Sequence, residues 1–198
     1  MMSTIKSRPV YPGLRAVPTA RRNLVAVEGD GVQAVTRMLV EAPPDFPGRT
    51  HVLYVPGGPT ADPEQVRALG VDELEVLGDV ELVLTALRGL LGRASMGTRL
   101  YAAGSEGFVG RVVRLGIDHG IDHKSVLTEH GGSLARRVQC VHCKSFSEHV
   151  TTTIFECQGC STLLFVRDHY SRRLAAFQGV CVNAEDPNER PEPEEAYP

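Results

Sequence analysis

Four cysteines stand in two short hooks whose spacing suits a metal ion. The first hook reads C-V-H-C from Cys140 to Cys143, the second reads C-Q-G-C from Cys157 to Cys160, and thirteen residues separate them. A C-x-x-C hook can fold into a tight knuckle whose backbone N–H groups point at sulfur, and two knuckles offer four sulfurs in a tetrahedron. The spacing predicts a closed four-cysteine metal site. Two local disulfides are disfavoured, because a five-cysteine chain with no predicted secretion signal is expected in a reducing compartment.

The identity of the metal stays open at this point, since four thiolates bind zinc and iron alike. Zinc would make the site a redox-silent staple, whereas a single iron would make it a rubredoxin-like carrier of one electron. Rubredoxin knuckles often have glycine after the second cysteine, and Lys144 and Ser161 occupy those places here, which favours zinc. His142 is interpreted as an exposed knuckle residue, because four thiolates already close the site.

Size, charge and hydropathy restrict the class of protein. The chain of 198 residues suits one large domain or two small ones, and 42% hydrophobic residues are ample for a core. A formal net charge of -3 argues against a general binder of nucleic acid or membranes. No apolar run approaches the length of a transmembrane helix, and no apolar segment follows Lys6 and Arg8 as in a signal peptide. We therefore expect a cytoplasmic protein.

The residues before the hooks alternate between strand-like and helical patterns. Residues 1–22 are basic and rich in proline, which predicts an extended arm. Asp62 is predicted to cap a short helix that begins at Pro63. Strands are predicted at 23–28, 51–55, 99–103 and 125–128, and longer helices at 32–42, 80–91 and around 108–115. This alternation over residues 23–130 predicts a parallel sheet with helices on its faces.

A glycine turn follows the first predicted strand, in the position of a dinucleotide fingerprint. Gly29 and Gly31 lie between strand and helix as that motif requires, with Ala34 in place of the third glycine. Glu28 and Asp30 would put negative charge beside bound phosphates. The resulting repulsion would exceed the stabilisation that the helix dipole gives to a phosphate. We therefore favour a structural turn over an NAD(P) site.

The second part, residues 131–183, carries strand and turn signals around the hooks. Strands are predicted at 151–156, 162–167 and 174–182, a sheet too thin to make its own core and therefore stabilised by metal. Acidic residues and prolines dominate after Glu185, so residues 184–198 are predicted to form a disordered acidic tail. The predicted fold class is α/β, with a parallel sheet and flanking helices followed by a small antiparallel four-cysteine ribbon.

The ribbon region is locally basic, although the whole chain is acidic. The candidate docking residues are Arg136, Arg137, Arg167, His169, Arg172 and Arg173. Arginine forks pair bidentately with carboxylates, so a docking surface for an acidic partner is favoured over a solvated turn. Nucleic-acid binding is the third possibility, and the lack of Trp with only 6% aromatic residues speaks against it.

The end of the predicted α/β domain carries a pattern of its own. Residues 100–109 read LYAAGSEGFV, followed by Gly120-Ile121 and by VLTE at 126–129. This pattern resembles the C-terminal end of a ferredoxin-reductase nucleotide domain, with Ala103 in place of the family's Cys and Ser105 in place of its Pro. The resemblance implies a reductase-like fold that has lost flavin and hydride transfer.

Further motifs extend over nearly the whole chain. They are SRPVYPGL at 7–14, HGGSLARRV at 130–138, the two hooks, and FVRDHYSRRL at 165–174. Together they resemble the A subunit of bacterial dimethylamine monooxygenase. The resemblance implies a heterotrimeric, NADPH-dependent enzyme that oxidises dimethylamine with dioxygen to methylamine and formaldehyde.

In such an enzyme the other subunits carry the cofactors of catalysis. The resemblance implies a reductase subunit with FMN and a 2Fe–2S cluster, and a haem subunit that activates oxygen. This chain would then be a scaffold or electron-path subunit between them, with no catalytic or cofactor-binding residues beyond its metal site. The alternative is a stand-alone zinc-ribbon adaptor or nucleic-acid-binding protein.

Overall fold

The computed structural model describes residues 7–57, 63–186, 188 and 190–198. These residues form two compact units, which we call the α/β unit (residues 11–132) and the ribbon unit (described residues 7–10 with those from Ser133 on). Each unit is built on its own five-stranded sheet. The arm and the tail were predicted to lie outside both domains. In the structure, described residues 7–10 of the arm and the described residues of the tail belong to the ribbon unit, and residues 11–22 belong to the α/β unit.

The α/β unit alternates strands and helices, as predicted. Its strands are β1 (Arg22–Glu28), β2 (Thr50–Val55), β3 (Glu73–Val76), β4 (Thr98–Gly104) and β5 (Val126–His130). Its helices are α1 (Val32–Val40), α2 (Pro63–Arg67), α3 (Val80–Leu91) and α4 (Glu106–Asp118). The strands are parallel in the order β3-β2-β1-β4-β5. The predicted cap at Asp62 lies outside the described residues.

Both faces of this sheet are covered, which explains the continuous apolar run of β1. Leu24 packs in a cluster with residues of α3 and α4, and its neighbour Val25 packs in a second cluster with residues of α1. Successive side chains of a strand point to opposite faces, so a strand with helices on both sides is apolar throughout. Within the described ranges, no helix is both long and apolar enough to span a membrane.

The ribbon unit contains more strands than the three predicted. They are β6 (Arg136–Cys140), β7 (Phe146–Val150), β8 (Ile154–Glu156), β9 (Leu163–Ser171) and β10 (Ala176–Cys181). The order is β7-β6-β10-β9-β8, antiparallel except for the parallel pair β6 and β10. Strands β6 and β7 were not predicted from the sequence. The β7 segment includes the polar residues Ser147, Glu148 and His149, so it lacks an apolar strand pattern.

The two ends of the chain complete the ribbon unit. Ser7 pairs beside β9, with its N–H 3.0 Å from the Asp168 carbonyl oxygen. At the C-terminus, Tyr197 donates its N–H to the Thr151 carbonyl oxygen at 2.9 Å. The prediction of a disordered tail was therefore wrong for the last residues, which bond to the backbone just before β8. β8 begins at Ile154, later than predicted.

Candidate metal centre

The two hooks bring four cysteine sulfurs together at one end of the ribbon sheet. All four Sγ atoms lie within 4.8 Å of one another. Cys140 and Cys160 are 3.9 Å apart at sulfur, and Cys143 and Cys157 are 3.6 Å apart. A tetrahedron with metal–sulfur bonds of about 2.3 Å has edges of about 3.8 Å, whereas a disulfide bond is only about 2.05 Å long. The residues thus fit a tetrathiolate metal site, and all four predicted ligands come together.

Each hook folds as a knuckle around its first cysteine. The N–H of His142 donates to Cys140 Sγ at 3.4 Å, and the N–H of Cys143 donates to the same sulfur. The second hook repeats this arrangement around Cys157. Backbone donors of this kind stabilise the negative charge of a thiolate, as the hook spacing predicts.

A left-handed residue closes each knuckle. Lys144 has a φ of 66° and donates its N–H to the Cys140 carbonyl oxygen at 3.1 Å. Ser161 has a φ of 54° and bonds in the same way to Cys157, at 2.9 Å. Glycine adopts this conformation without strain, which accounts for its frequency at the equivalent rubredoxin position. In this chain Lys144 and Ser161 adopt the same left-handed conformation although both carry side chains.

Hydroxyl groups flank the sulfurs from outside the hooks. Ser145 Oγ lies 2.9 Å from Cys143 Sγ and 3.3 Å from Cys157 Sγ. Thr162 Oγ1 lies 3.3 Å from Cys160 Sγ. Sequence reasoning missed both residues, although a signal existed. Each hook is followed two positions later by a hydroxyl residue, in C-K-S and C-S-T.

The four thiols differ in how readily they ionise in the metal-free protein. Burial raises the pKa of Cys140 to about 11. The hydroxyl and N–H of Thr162, with the side chain of His142, lower the pKa of Cys160 to about 7. Metal binding at neutral pH must therefore displace a proton from Cys140, so metal affinity falls as the pH is lowered.

The site has a closed side and an open side. Cys140 and Cys157 are buried and pack with Leu164. Cys143 is exposed. The buried side joins the four-cysteine site to the small ribbon core, so we expect an ion bound there to stabilise the fold of this unit.

Gly159 is the tightest position in the second hook. A Cβ at this position would lie 2.6 Å from Ser145 Oγ and 3.2 Å from Cys143 Sγ. We expect Gly159→Ala to displace Ser145 and to destabilise the ribbon unit by about 1–3 kcal/mol, with faster metal loss to a competing chelator. Gln158→Ala, at the exposed neighbouring position, is the matched control. Equal chelation rates for the two variants would contradict the role given to this close contact.

The sequence-predicted docking arginines separate into buried and exposed members. Arg136 is 5% exposed and lies between the rings of Phe177 and Tyr197, 3.9 and 3.8 Å from their centroids. Its guanidinium pairs with Asp168 at 2.9 Å, and Arg8 pairs with the same carboxylate at 2.5 Å. Arg136 is thus engaged inside the ribbon unit, and Tyr197 holds the tail there.

Asp168 makes this cluster sensitive to acid. Burial acts to raise the pKa of Asp168, but the hydrogen bonds from Arg8 and Arg136 outweigh it and bring the pKa below its ordinary value. The resulting stabilisation is present above the unfolded pKa of about 3.9 and is lost as the pH falls through the lower folded value. We expect urea unfolding to show wild type more stable than Asp168→Asn at neutral pH. The difference should close below about pH 4, and a constant difference would contradict the ion pairs.

Arg137 is engaged as well, at the surface of the same sheet. It pairs with Glu148 at 2.7 Å, donates to the Leu174 carbonyl oxygen at 2.6 Å and stacks on the ring of Phe146 at 3.8 Å. The remaining docking candidates are partly or fully exposed, namely Arg167, His169, Arg172 and Arg173.

The glycine turn of the α/β unit lies where a doubly wound sheet would bind a nucleotide, between the carboxyl ends of β1 and β4. A Cβ on Gly29 would lie 2.5 Å from the Gly57 carbonyl oxygen, and one on Gly31 would lie 2.5 Å from the Ala103 carbonyl. The glycines therefore serve the approach of the chain's own backbone. Glu28 Oε2 accepts from the Ser105 N–H at 2.9 Å, so a carboxylate stands at the start of α4.

The arm also crosses this edge of the sheet. The Tyr11 hydroxyl donates to Glu106 Oε1 at 3.0 Å. The N–H of Leu14 donates to Glu129 Oε2 at 2.9 Å. Helix N-termini bind phosphate through their N–H groups and dipole, but protein carboxylates and the arm already occupy this edge. The arrangement favours the structural-turn interpretation.

The structure thus defines an α/β protein with a parallel sheet flanked by helices and a second sheet that carries a four-cysteine group. Two family models match it, "Dimethylamine monooxygenase subunit DmmA-like, N-terminal domain" over residues 3–126 and the corresponding C-terminal domain over residues 137–180. The chain belongs to this DmmA-like subunit family.

Individual relatives and structures were also found. The chain is 26% identical over 187 residues to the heme-dependent oxidative N-demethylase delta subunit of Ectopseudomonas mendocina, covering 94% of both chains. Two solved structures are more distant. The siderophore-interacting protein SipS of Aeromonas hydrophila is 15% identical with a TM-score of 0.45, over 58% of this chain and 52% of that one. The ferredoxin reductase of carbazole 1,9a-dioxygenase, in its FAD apo form, is 18% identical with a TM-score of 0.42, over 59% and 34%.

Proposed function

We propose that this chain is the assembly subunit of an NADPH-dependent monooxygenase that demethylates dimethylamine. The observation that carries the proposal is the family match, which extends over both units. The relative named as a delta subunit of a heme-dependent oxidative N-demethylase adds support, since it aligns along 94% of both chains. A chain that keeps both units together is expected to work in the same kind of complex.

In the proposed complex, dimethylamine, dioxygen, NADPH and a proton give methylamine, formaldehyde, NADP⁺ and water. A cytoplasmic haem subunit and a reductase with FMN and a 2Fe–2S cluster would be the partners. Among the described residues, the four hook cysteines are the one group of three or more ligand side chains close enough to share an ion. We propose that the partners carry out the oxygen and hydride chemistry and that this chain has an assembly role.

We propose that the hook cysteines hold one zinc ion as a structural staple. Four thiolates leave no open coordination position, which is typical of structural zinc sites. Buried Cys140 and Cys157 connect the site to the ribbon core, so the ion would stabilise the fold of the whole unit. An iron ion held by the same sulfurs would instead give this subunit a part in electron transfer.

Co-expression tests the assembly role directly. The chain, tagged at its N-terminus, is produced together with the proteins encoded beside its gene and is purified through the tag. We expect a haem protein and a flavin protein to co-purify in fixed ratio, and dimethylamine-dependent NADPH oxidation to require this chain. A stand-alone adaptor or nucleic-acid-binding protein would purify without them, and that result would refute the proposal.

Titration with NADPH tests the division of labour. We expect no saturable binding to the isolated chain by calorimetry up to about 1 mM. Glu28 at the start of α4 would repel phosphate, and Tyr11 and Leu14 occupy the edge of the sheet where a nucleotide would lie. A dehydrogenase of known NADPH affinity is the positive control. Micromolar binding would instead assign the chain a nucleotide site.

A further inference from the structure

The two faces of the ribbon sheet differ in character. One face carries a small buried cluster formed by Val138, Val150, Val166 and Phe177. The opposite face, which we call the outer face, carries a row of directly paired residues, one from each of four neighbouring strands. The row is Phe146, Gln139, Gln178 and Arg167. These four side chains are half-exposed, so the sheet is open on this side.

A tight turn adds two arginines beyond the end of β9. The turn runs from Ser171 to Leu174, whose N–H donates to the Ser171 carbonyl oxygen at 3.2 Å. Arg172 and Arg173 are its central residues and are exposed, as expected for the two corner positions of a β-turn. Arg137 bonds to the Leu174 carbonyl oxygen at 2.6 Å, which fixes the turn to β6. The two guanidinium groups are therefore presented on an anchored backbone.

Several basic side chains on β9 and in this turn have no carboxylate partner among the residues that the structure describes. In the described part of the chain, no Asp or Glu lies within ion-pair distance of Arg167, His169, Arg172 or Arg173. We call these four residues the basic patch. Arg136 and Arg137, in contrast, each have a carboxylate partner. Within the described ranges, carboxylates therefore do not neutralise the basic patch, although the chain has a formal net charge of -3.

We propose that the basic patch is a docking surface for a carboxylate-rich surface of a partner protein. Guanidinium groups pair bidentately with carboxylates, and complementary charge speeds the encounter of two proteins. A single-stranded nucleic acid would need an open aromatic platform as well. Phe146 is the aromatic member of the row described above, and the guanidinium of Arg137 covers its ring at 3.8 Å. The chemistry therefore favours an acidic protein. This proposal deepens the assembly role and rests on it.

The turn with Arg172 and Arg173 lies at the other end of β9 from the hooks. The hooks adjoin the start of β9 at Leu163, whereas the turn follows its end at Ser171. At about 3.3 Å per residue, a strand of this length spans roughly 26 Å. A partner bound at the turn would thus contact a different end of the ribbon sheet from the metal. Changing the charges at the turn should consequently leave metal content unaltered.

Charge reversal tests the surface within the reconstituted complex. The double variant Arg172→Glu/Arg173→Glu is compared with Arg88→Glu/Arg93→Glu, two exposed arginines of the α/β unit. The probes are the haem and reductase subunits that co-purify with wild type. We expect the turn variant to lower the association rate at least about tenfold and to flatten its salt dependence. Metal content and thermal unfolding should match wild type, and the control variant should associate normally.

A second, milder variant controls for misfolding of the charge-reversed protein. Arg172→Gln/Arg173→Gln removes charge without adding acid, and an intermediate association rate is expected. If wild type assembles and both turn variants assemble equally well, the docking surface is refuted while the assembly role stands. If wild type itself binds neither subunit, both proposals fail. Salt-dependent retention of an oligonucleotide by wild type, lost in the turn variant, would refute docking of an acidic protein and assign the patch to nucleic acid.

Discussion

Replacing Cys157 with serine is expected to abolish metal binding and to unfold the ribbon unit, while the α/β unit stays folded. A serine hydroxyl does not ionise at neutral pH, so the tetrahedral set loses one of its four charges. Structural zinc sites contribute about 10–16 kcal/mol of apparent binding free energy at pH 7. The ribbon core that must do without this contribution is small, since one of its two clusters contains only Cys140, Cys157 and Leu164 as buried members. The expected loss therefore exceeds the stability of the unit.

Elemental mass spectrometry and limited proteolysis measure this effect together. The variant should contain no stoichiometric metal, and protease should cleave residues 133–198 while a fragment near 11–132 survives. Cys181→Ser is the matched control, because this half-buried cysteine lies outside the hooks, where its thiol donates to Asn183 Oδ1 at 3.4 Å. A Cys157→Ser protein that keeps both its metal and its protease resistance would show that the site is not a staple.

Truncating Arg136 to alanine is expected to destabilise the ribbon unit by roughly 3–5 kcal/mol, the usual cost of removing one partner of a buried ion pair. The change leaves Asp168 with Arg8 as its remaining cation and removes the group that lies between the rings of Phe177 and Tyr197. The C-terminal residues should detach as a result, since Tyr197 loses the surface on which it packs.

Urea unfolding of metal-loaded protein measures the loss of stability, and hydrogen exchange at Leu134 and Tyr197 reports the tail. Both N–H groups are bonded between the tail and the body of the ribbon unit. Arg172→Ala is the control, because this exposed arginine has no described partner. Slow exchange at both positions in Arg136→Ala, with wild-type stability, would contradict the cluster.

The elements that sequence predicted well are those with strong local patterns. The unbroken apolar run after Asn23 indicates a buried strand by itself, and the C-x-x-C spacing defines the four ligands without any knowledge of the fold. In contrast, β3 is exposed along most of its length and contains Glu73 and Glu75, so it is absent from the predicted strands. An apolar strand pattern arises where side chains are buried, and an exposed edge strand such as β3 has few buried side chains.

The features that sequence missed depend on contacts between distant residues. The tail has a disordered composition, yet Tyr197 packs on Arg136 because Asp168 holds that guanidinium in place. No local property of Tyr197 carries this information. Assigning Arg136 to the surface failed for the same reason, since its burial depends on two aromatic rings and a carboxylate contributed by other segments.

Metal content is the most direct test of the four-cysteine staple. The protein is purified without an affinity-metal resin, and zinc and iron per chain are measured by elemental mass spectrometry. We expect one zinc per chain, no visible absorption, and loss of the ribbon unit's protease resistance on chelation. One iron per chain with reddish absorption, or a folded ribbon unit that contains no metal, would contradict the structural zinc site.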